Sequence, residues 1–162
     1  MTPSDPAAAS ADPAVVLAKF LAEAQEKRTL EAALLPDNKA ALFDGLRLVG
    51  IAHVTVRFDG YGDSGQIEEI DARNDAGVPV DLPDARMVVS DFDWESREPV
   101  QRRVPLRQAI EEMAYDFLSD THGGWENCDG AYGEFCFDAR ARTIHLDYNE
   151  RFTSSELFTH DF

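Results

Sequence analysis

The hydrophobic period changes along the chain, and each change marks a new element. From Asp12, a candidate N-cap followed by Pro13 at the first helical position, Val16, Leu17, Phe20, Leu21 and Ala24 recur at helical spacing. This predicts a first helix ending near Arg28. Leu30, Leu34 and Leu35 extend the stripe to Pro36, where a break is expected. Asp37 or Asn38 can then cap a second helix carrying Ala41, Leu42, Leu46 and Val49. From Ile51 the period becomes two. Val54, Val56 and Phe58 alternate with His53, Thr55, Arg57 and Asp59, the pattern of a half-buried strand. The glycine-rich run Gly60 to Gly65 predicts a turn, and Gln66 to Asp71 the returning strand. The period of that second strand is imperfect around Glu68 and Glu69, which points to a bulge or an edge position.

Residues 72–84 read as a loop, and Met87 to Val89 with Phe92 as a further short strand. Val104 to Thr121 is the clearest helix, with Leu106, Ile110, Met113, Ala114, Phe117 and Leu118 on one face and Glu111, Glu112, Asp116 and Asp120 on the other. It ends at His122-Gly123-Gly124, where glycine suits a left-handed cap. Tyr132 to Asp138 and Thr143 to Arg151 form a hairpin, and Ser154 to Phe162 is a weakly patterned tail that could return along the sheet. The expected class is α+β, with N-terminal helices and one long central helix packed on a mainly antiparallel sheet of about four to six strands. Residues 1–12 are expected to be a flexible tail and 13–162 a single domain, with a helical part over 13–50 and a sheet-bearing part over 51–162.

Length and composition agree with that layout. A chain of 162 residues, 44% hydrophobic and 28% charged, suits one domain with its own core and is neither disordered nor fibrous in composition. No apolar run approaches the ~18 residues of a membrane span. Charge changes the picture more. The formal net charge is -16, and it is uneven: residues 1–60 hold 6 basic and 8 acidic side chains, residues 61–162 hold 9 and 23. Such a surface disfavours direct contact with nucleic acid or an anionic membrane, both of which call for basic patches. The first twelve residues lack the charged and apolar regions of a secretory signal, so the two cysteines point to a reducing, cytoplasmic setting.

Candidate chemistry concentrates in one stretch, His122-Gly-Gly-Trp-Glu-Asn-Cys-Asp-Gly-Ala-Tyr-Gly-Glu-Phe135. Together with Arg142 to Phe152 and with Tyr61-Gly-Asp-Ser-Gly-Gln-Ile-Glu68, it resembles an uncharacterised bacterial domain family of unknown function. The hallmark of that family is HGGWEN followed closely by DGAYGEF. The resemblance covers roughly residues 50–162 and implies a shared fold and site, with no activity attached. At position 128 it implies a polar residue such as asparagine. Cys128 in that place speaks against an obligatory ligand.

Hairpin arithmetic sharpens the site. If Phe135 and Phe137 share the buried face with Ile144, Leu146 and Tyr148, then Glu134, Cys136 and Asp138 share the other face with His145, Asp147 and Asn149. Pairing Phe137 with Ile144 sets Cys136 opposite His145 and Glu134 opposite Asp147, two carboxylates that repel unless something relieves them. Three readings stay open. The first is a solvated polar face offset by Arg151 or Arg142. The second is a divalent cation, calcium or magnesium, held by Glu134 and Asp147 with Asp129 or Glu126, which could serve a hydrolase-like enzyme. The third is a binding surface for a protein or peptide partner with a basic surface, built from His122, Trp125, Glu126, Asn127, Asp129, Tyr132, Glu134, His145 and Asp147, with Trp125 exposed as an anchor.

The preferred expectation is the third: a non-enzymatic interaction module with no resident cofactor. A nucleic-acid-mimicking inhibitor of a basic protein is a further alternative, since acidity of this degree can imitate a phosphate backbone. Weaker candidates are set aside on chemistry. His122, Cys128, Cys136 and His145 lie six, eight and nine residues apart, which matches no short zinc-ligand pair. A Cys136 nucleophile beside His145 would be opposed by the surrounding carboxylates. Asp59 to Ile70 lacks oxygen ligands at the third and twelfth positions of a calcium loop. Phe92 and Trp94, alternating with Asp91, Asp93 and Glu95, are expected either to enter the core or to form an acidic recognition strip.

Overall fold

The computed structural model describes residues 12–162, so nearly all of the expected N-terminal tail lies outside the described residues. Its elements are α1 (Pro13–Leu48), β1 (His53–Tyr61), β2 (Ser64–Arg73), β3 (Pro79–Val80), β4 (Arg86–Asp93), β5 (Glu98–Pro105), α2 (Leu106–Thr121), β6 (Ala131–Asp138) and β7 (Thr143–Glu150). The class is α+β. Five strands form a sheet in the order β3-β2-β1-β6-β7, antiparallel at every pairing, and β4 and β5 form a separate two-stranded ribbon.

One layer of helix covers one face of the five-stranded sheet. Val54, Val56 and Phe58 of β1 and Phe135 and Phe137 of β6 point into the core, where Leu42, Phe43 and Leu46 of α1 and Leu106, Ile110, Ala114 and Leu118 of α2 meet them. These side chains are all buried, and at roughly 1.5–3 kcal/mol each they supply the main cohesion of the domain. β1 is the central strand because its alternation is the cleanest, and it receives β2 on one side and β6 on the other. The β1–β2 turn is a two-residue loop with both Gly62 and Asp63 at positive φ, the geometry that matches the twist of a hairpin. The expected bulge is present. Arg57 pairs with Glu69 and Phe58 with Ile67, which leaves Glu68 as the extra residue. Ile67 and Ile70, three apart, can therefore both pack against the core.

Three expectations are corrected. The N-terminal helices are one helix of 36 residues that continues through Pro36. Proline deprives the Ala32 carbonyl of its donor, but Ala32 and Pro36 are both exposed, so water can satisfy that oxygen. Asn38 does not cap a helix. From inside α1 it grips Ser90 of β4 on both backbone groups, donating from Nδ2 at 2.9 Å and accepting at Oδ1 at 2.7 Å. Second, Val104 belongs to strand β5, which ends at Pro105, and α2 begins at Leu106. β5 has no apolar alternation, and its position depends on pairing with β4 and on Arg102, which binds Asp91 of β4 and Glu112 of α2. Third, residues 154–162 do not return along the sheet, and Leu157, Phe158 and Phe162 stand exposed, as does Phe152 before them.

No helix among the described residues is long and apolar enough to cross a membrane. Pro36→Ala is expected to restore a helical hydrogen bond at Ala32 and raise the unfolding free energy by up to about 3 kcal/mol, read from urea denaturation.

Candidate functional site

The stretch from His122 to Glu134 divides into two parts with different roles. The first, the loop after α2, is a wedge. Trp125 is 8% exposed and belongs to the core, with its ring edge-on to Phe58 at 5.5 Å. It lies against Gly60 and Gly65 of the β1–β2 hairpin so closely that a Cβ on either glycine would come within 2.6 Å and 2.4 Å of its ring. The backbone seals the contact: Gly62 N–H donates to Cys128 O and Asp63 N–H to Glu126 O, each at 3.0 Å. Gly130 sits at positive φ, where a Cβ would fall 1.7 Å from the Gly60 carbonyl oxygen. The motif segments around Tyr61–Glu68 and His122–Phe135 are thus two halves of one packing unit.

The expectation of an exposed Trp125 anchor is therefore corrected. Its indole fills the hollow left by the two glycines, and burial of that much apolar surface outweighs exposure. Cys128, at φ 57, occupies the left-handed region that asparagine adopts more readily. This gives a backbone reason for the asparagine expected there. His122 is exposed but stacked on Tyr148 at 3.6 Å and 4° between planes. Asp129 accepts from Thr153 Oγ1 at 2.8 Å. Asn127 donates its backbone N–H to Gly124 O at 2.9 Å within the turn.

The second part is the outer face of the sheet, away from the helices. Its registers are those derived above: Cys136 opposite His145 and Glu134 opposite Asp147, with Tyr132 opposite Asn149. β1 adds what the hairpin alone could not show. Arg57 pairs with Glu134 on one side and Glu69 on the other, so one row reads Glu69-Arg57-Glu134-Asp147 across four strands. The Arg57 guanidinium binds the Glu69 carboxylate and approaches Glu134 Oε2 at 3.6 Å. Relief of the carboxylate pair therefore comes from Arg57. Arg142 and Arg151 are engaged elsewhere. Arg142 binds Asp44 at 2.8 Å, and Arg151 binds Asp59 at 2.8 Å while its guanidinium covers Tyr132 at 4.6 Å. Asp147, 62% exposed, has the His145 imidazole Nε2 at 3.0 Å from its carboxylate.

A shallow depression of about 320 Å³ lies over this row, lined by Arg57, Tyr132, Gly133, Glu134, Asp147 and Asn149. Burial pushes the Cys136 thiol up, and the charges of Glu134 and Asp147 push it further, which opposes thiolate chemistry. Glu126 and Asp129 belong to the loop rather than this row, and among the described residues no three His, Cys, Asp or Glu side chains converge as a metal site. The acids of the face are interrupted by Arg57 and Arg73 and do not form two unbroken rows.

A family model, that of the family of unknown function DUF6878, matches residues 34–162. The chain belongs to this family. The DUF6878 match covers the loop wedge, the sheet face and the C-terminal half of α1, starting earlier than the motifs alone suggested. No curated protein and no solved structure matches the chain.

The larger concavity is elsewhere, a groove of about 1270 Å³ between α1, the β4–β5 ribbon and α2. Phe92 and Trp94, 4.5 Å apart, are half-buried on its wall, so they neither enter the core nor stand as an open strip. At its rim, desolvation and then the charges of Asp120, Glu112, Glu31 and Asp91 push the Asp116 carboxyl up to about 6. The folded state thus favours the protonated acid. The stability this carboxyl contributes is complete below its ordinary 3.8 and is lost as pH rises through about 6.

Two outcomes are expected. Trp125→Ala should cost about 3–5 kcal/mol in denaturant unfolding while Glu134→Gln stays within ~0.5 kcal/mol, separating packing from surface. Asp116→Asn should raise the melting temperature at neutral pH, modestly because the side chain is exposed, with the gain disappearing in melts recorded below the ordinary carboxylate range.

Proposed function

We propose that this chain is a non-catalytic, cytoplasmic protein-interaction module whose outer sheet face receives a guanidinium or ammonium group from a partner with a basic surface. The observation that carries this reading is the Glu134–Asp147 pair, two facing carboxylates of which only Glu134 reaches Arg57, itself bound to Glu69, beside an open depression. A cation entering there would meet Glu134 and Asp147 from above and Tyr132 and Asn149 at the sides. Exposed ion pairs are individually worth about 0–1 kcal/mol, so such a face supports selective, salt-sensitive contacts more than tight ones. The loop wedge holds β6 in place beneath it, and Trp125 contributes rigidity rather than contact. The acidity of the chain, net -16, would speed encounter with a basic partner.

The test is titration with arginine- and lysine-bearing peptides, followed by amide shifts at Gly133 and Asn149. Binding should weaken about tenfold or more from low to high salt and be lost in the double variant Glu134→Gln, Asp147→Asn. Peptide binding that ignores both salt and the double variant would sink the proposal. A rise in melting temperature with calcium or magnesium that the same variant abolishes would replace it with the metal-dependent reading.

A further inference from the structure

Helix α1 is built in two halves. From Leu34 to Leu48 it packs on the domain, whereas nearly every residue from Pro13 to Ala33 is exposed. Ala24 to Ala32 line the side of the body, with Glu26 3.8 Å from Arg97 and Lys27 over the Trp94 ring, so the part that projects is Pro13 to Glu23, about 16 Å at 1.5 Å per residue. It carries an apolar stripe, with Leu17 57%, Phe20 66% and Leu21 58% exposed, continuing to Ala24. A lone helix of this length is marginal in water, and an unpartnered apolar stripe marks a contact. The half also lies outside the family match, which begins at residue 34.

The stripe has a continuation. Positions 17, 20, 21 and 24 lead at helical spacing into 27, 28, 31, 34 and 35, and from Ala24 onward this same face of α1 forms one wall of the large groove. The floor and far wall are apolar, with Met87, Val89, Phe92, Trp94, Met113 and Phe117. Because α1 is one unbroken helix, its projecting half points away from its own groove and cannot fold into it. The same half of another copy can. In an antiparallel arrangement about a two-fold axis near Gln25, each stripe enters the other chain's groove, the self-complementary contact of a symmetric dimer.

Charge selects the occupant and its direction. The groove is lined by six carboxylates, Glu31, Asp91, Asp93, Glu112, Asp116 and Asp120, against three cations, Lys27, Arg28 and Arg102. Two of those carboxylates, Asp91 and Glu112, are already spent on Arg102. The part of α1 that would enter, Pro13 to Glu23, carries Lys19 against Glu23 and is neutral, so the acidic lining does not repel it. In the antiparallel register centred on Gln25, Lys19 stands level with Glu31 of the second copy and Glu23 with Lys27. A parallel in-register pair would set each charge beside its own kind. The other exposed apolar segment, the C-terminal tail with Phe152, Leu157 and Phe158, carries Glu156 and Asp161 and no lysine or arginine, so the acidic rim repels it.

We propose that the chain forms an antiparallel homodimer in which the Leu17-Phe20-Leu21 stripe of each α1 fills the groove between α1, the β4–β5 ribbon and α2 of the other copy. The dimer buries the projecting half and fills the groove in one step, and leaves both outer sheet faces open.

Sedimentation equilibrium of the full chain tests this across a wide concentration range. The expected result is a mass of twice 18.0 kDa, reduced to the monomer by Phe20→Asp and, from the groove side, by Trp94→Ala. Phe20 is exposed and outside the packed domain, so backbone amide signals of the five-stranded sheet should match the parent in Phe20→Asp, while the Trp94 indole signal moves as the groove empties and far-UV helix signal falls. A parent that stays monomeric at every concentration overturns the proposal, as does a dimer indifferent to Phe20→Asp. A dimer broken by Phe20→Asp but untouched by Trp94→Ala would mean stripe-to-stripe pairing and overturn the groove contact. A dimer broken by Phe158→Asp alone would make the tail the occupant.

Discussion

The burial of Trp125 against two glycines is the contact on which the rest of this domain depends. The indole stands edge-on to Phe58 and occupies the space that side chains at Gly60 and Gly65 would take. Around it the β1–β2 tip, the end of α2 and the start of β6 are fixed to one another by backbone hydrogen bonds and by the approach of Gly130 to the Gly60 carbonyl. An aromatic ring in a glycine hollow orders three elements distant in sequence at the expense of two side chains. Phe58 passes that order on, since it also meets Phe135 and Tyr148, and Tyr148 supports His122. Much of the stretch from His122 to Phe135 therefore serves architecture.

What that architecture presents is a flat, polar sheet face with its carboxylates only partly matched. The row Glu69-Arg57-Glu134-Asp147 crosses four strands, and its single arginine touches two of its three acids. Exposed pairs of this sort add little to stability. Their placement over a concave patch beside Tyr132 is the feature on which the proposed recognition rests. The same economy holds in the ribbon, where Arg102 alone ties β4 to α2 through Asp91 and Glu112. Most of the remaining acids stay in water, where they give the chain its net charge of -16.

The projecting half of α1 poses a different physical problem. Its apolar side chains have no partner among the described residues, and the groove that could accept those of a second copy is lined by the continuation of the same helical face. The helix passes from an exposed arm to a core element at about Leu34, close to Pro36. Pro36 is tolerated because its position and that of Ala32 face solvent, whereas Leu35 and Asn38 face the body.

The sequence by itself determined whatever depends on neighbours in the chain. Alternation in β1, a glycine-rich turn between Gly60 and Gly65, an irregularity near Glu68 and Glu69, the apolar face of α2 and the β6–β7 register down to Glu134 opposite Asp147 are all local, set by side-chain period and turn chemistry. Tertiary structure decided the rest. That Arg57 relieves Glu134 required knowing that β1 lies beside β6, a pairing of strands more than seventy residues apart. That Trp125 is core rather than anchor required knowing which glycines lie above it. That α1 runs through Pro36, and that β5 exists without an apolar pattern, followed from solvent around Ala32 and from Arg102 bridging two elements. Local patterns record which face of an element is apolar. Which elements meet, and so which charges are matched, is set by packing the whole chain at once.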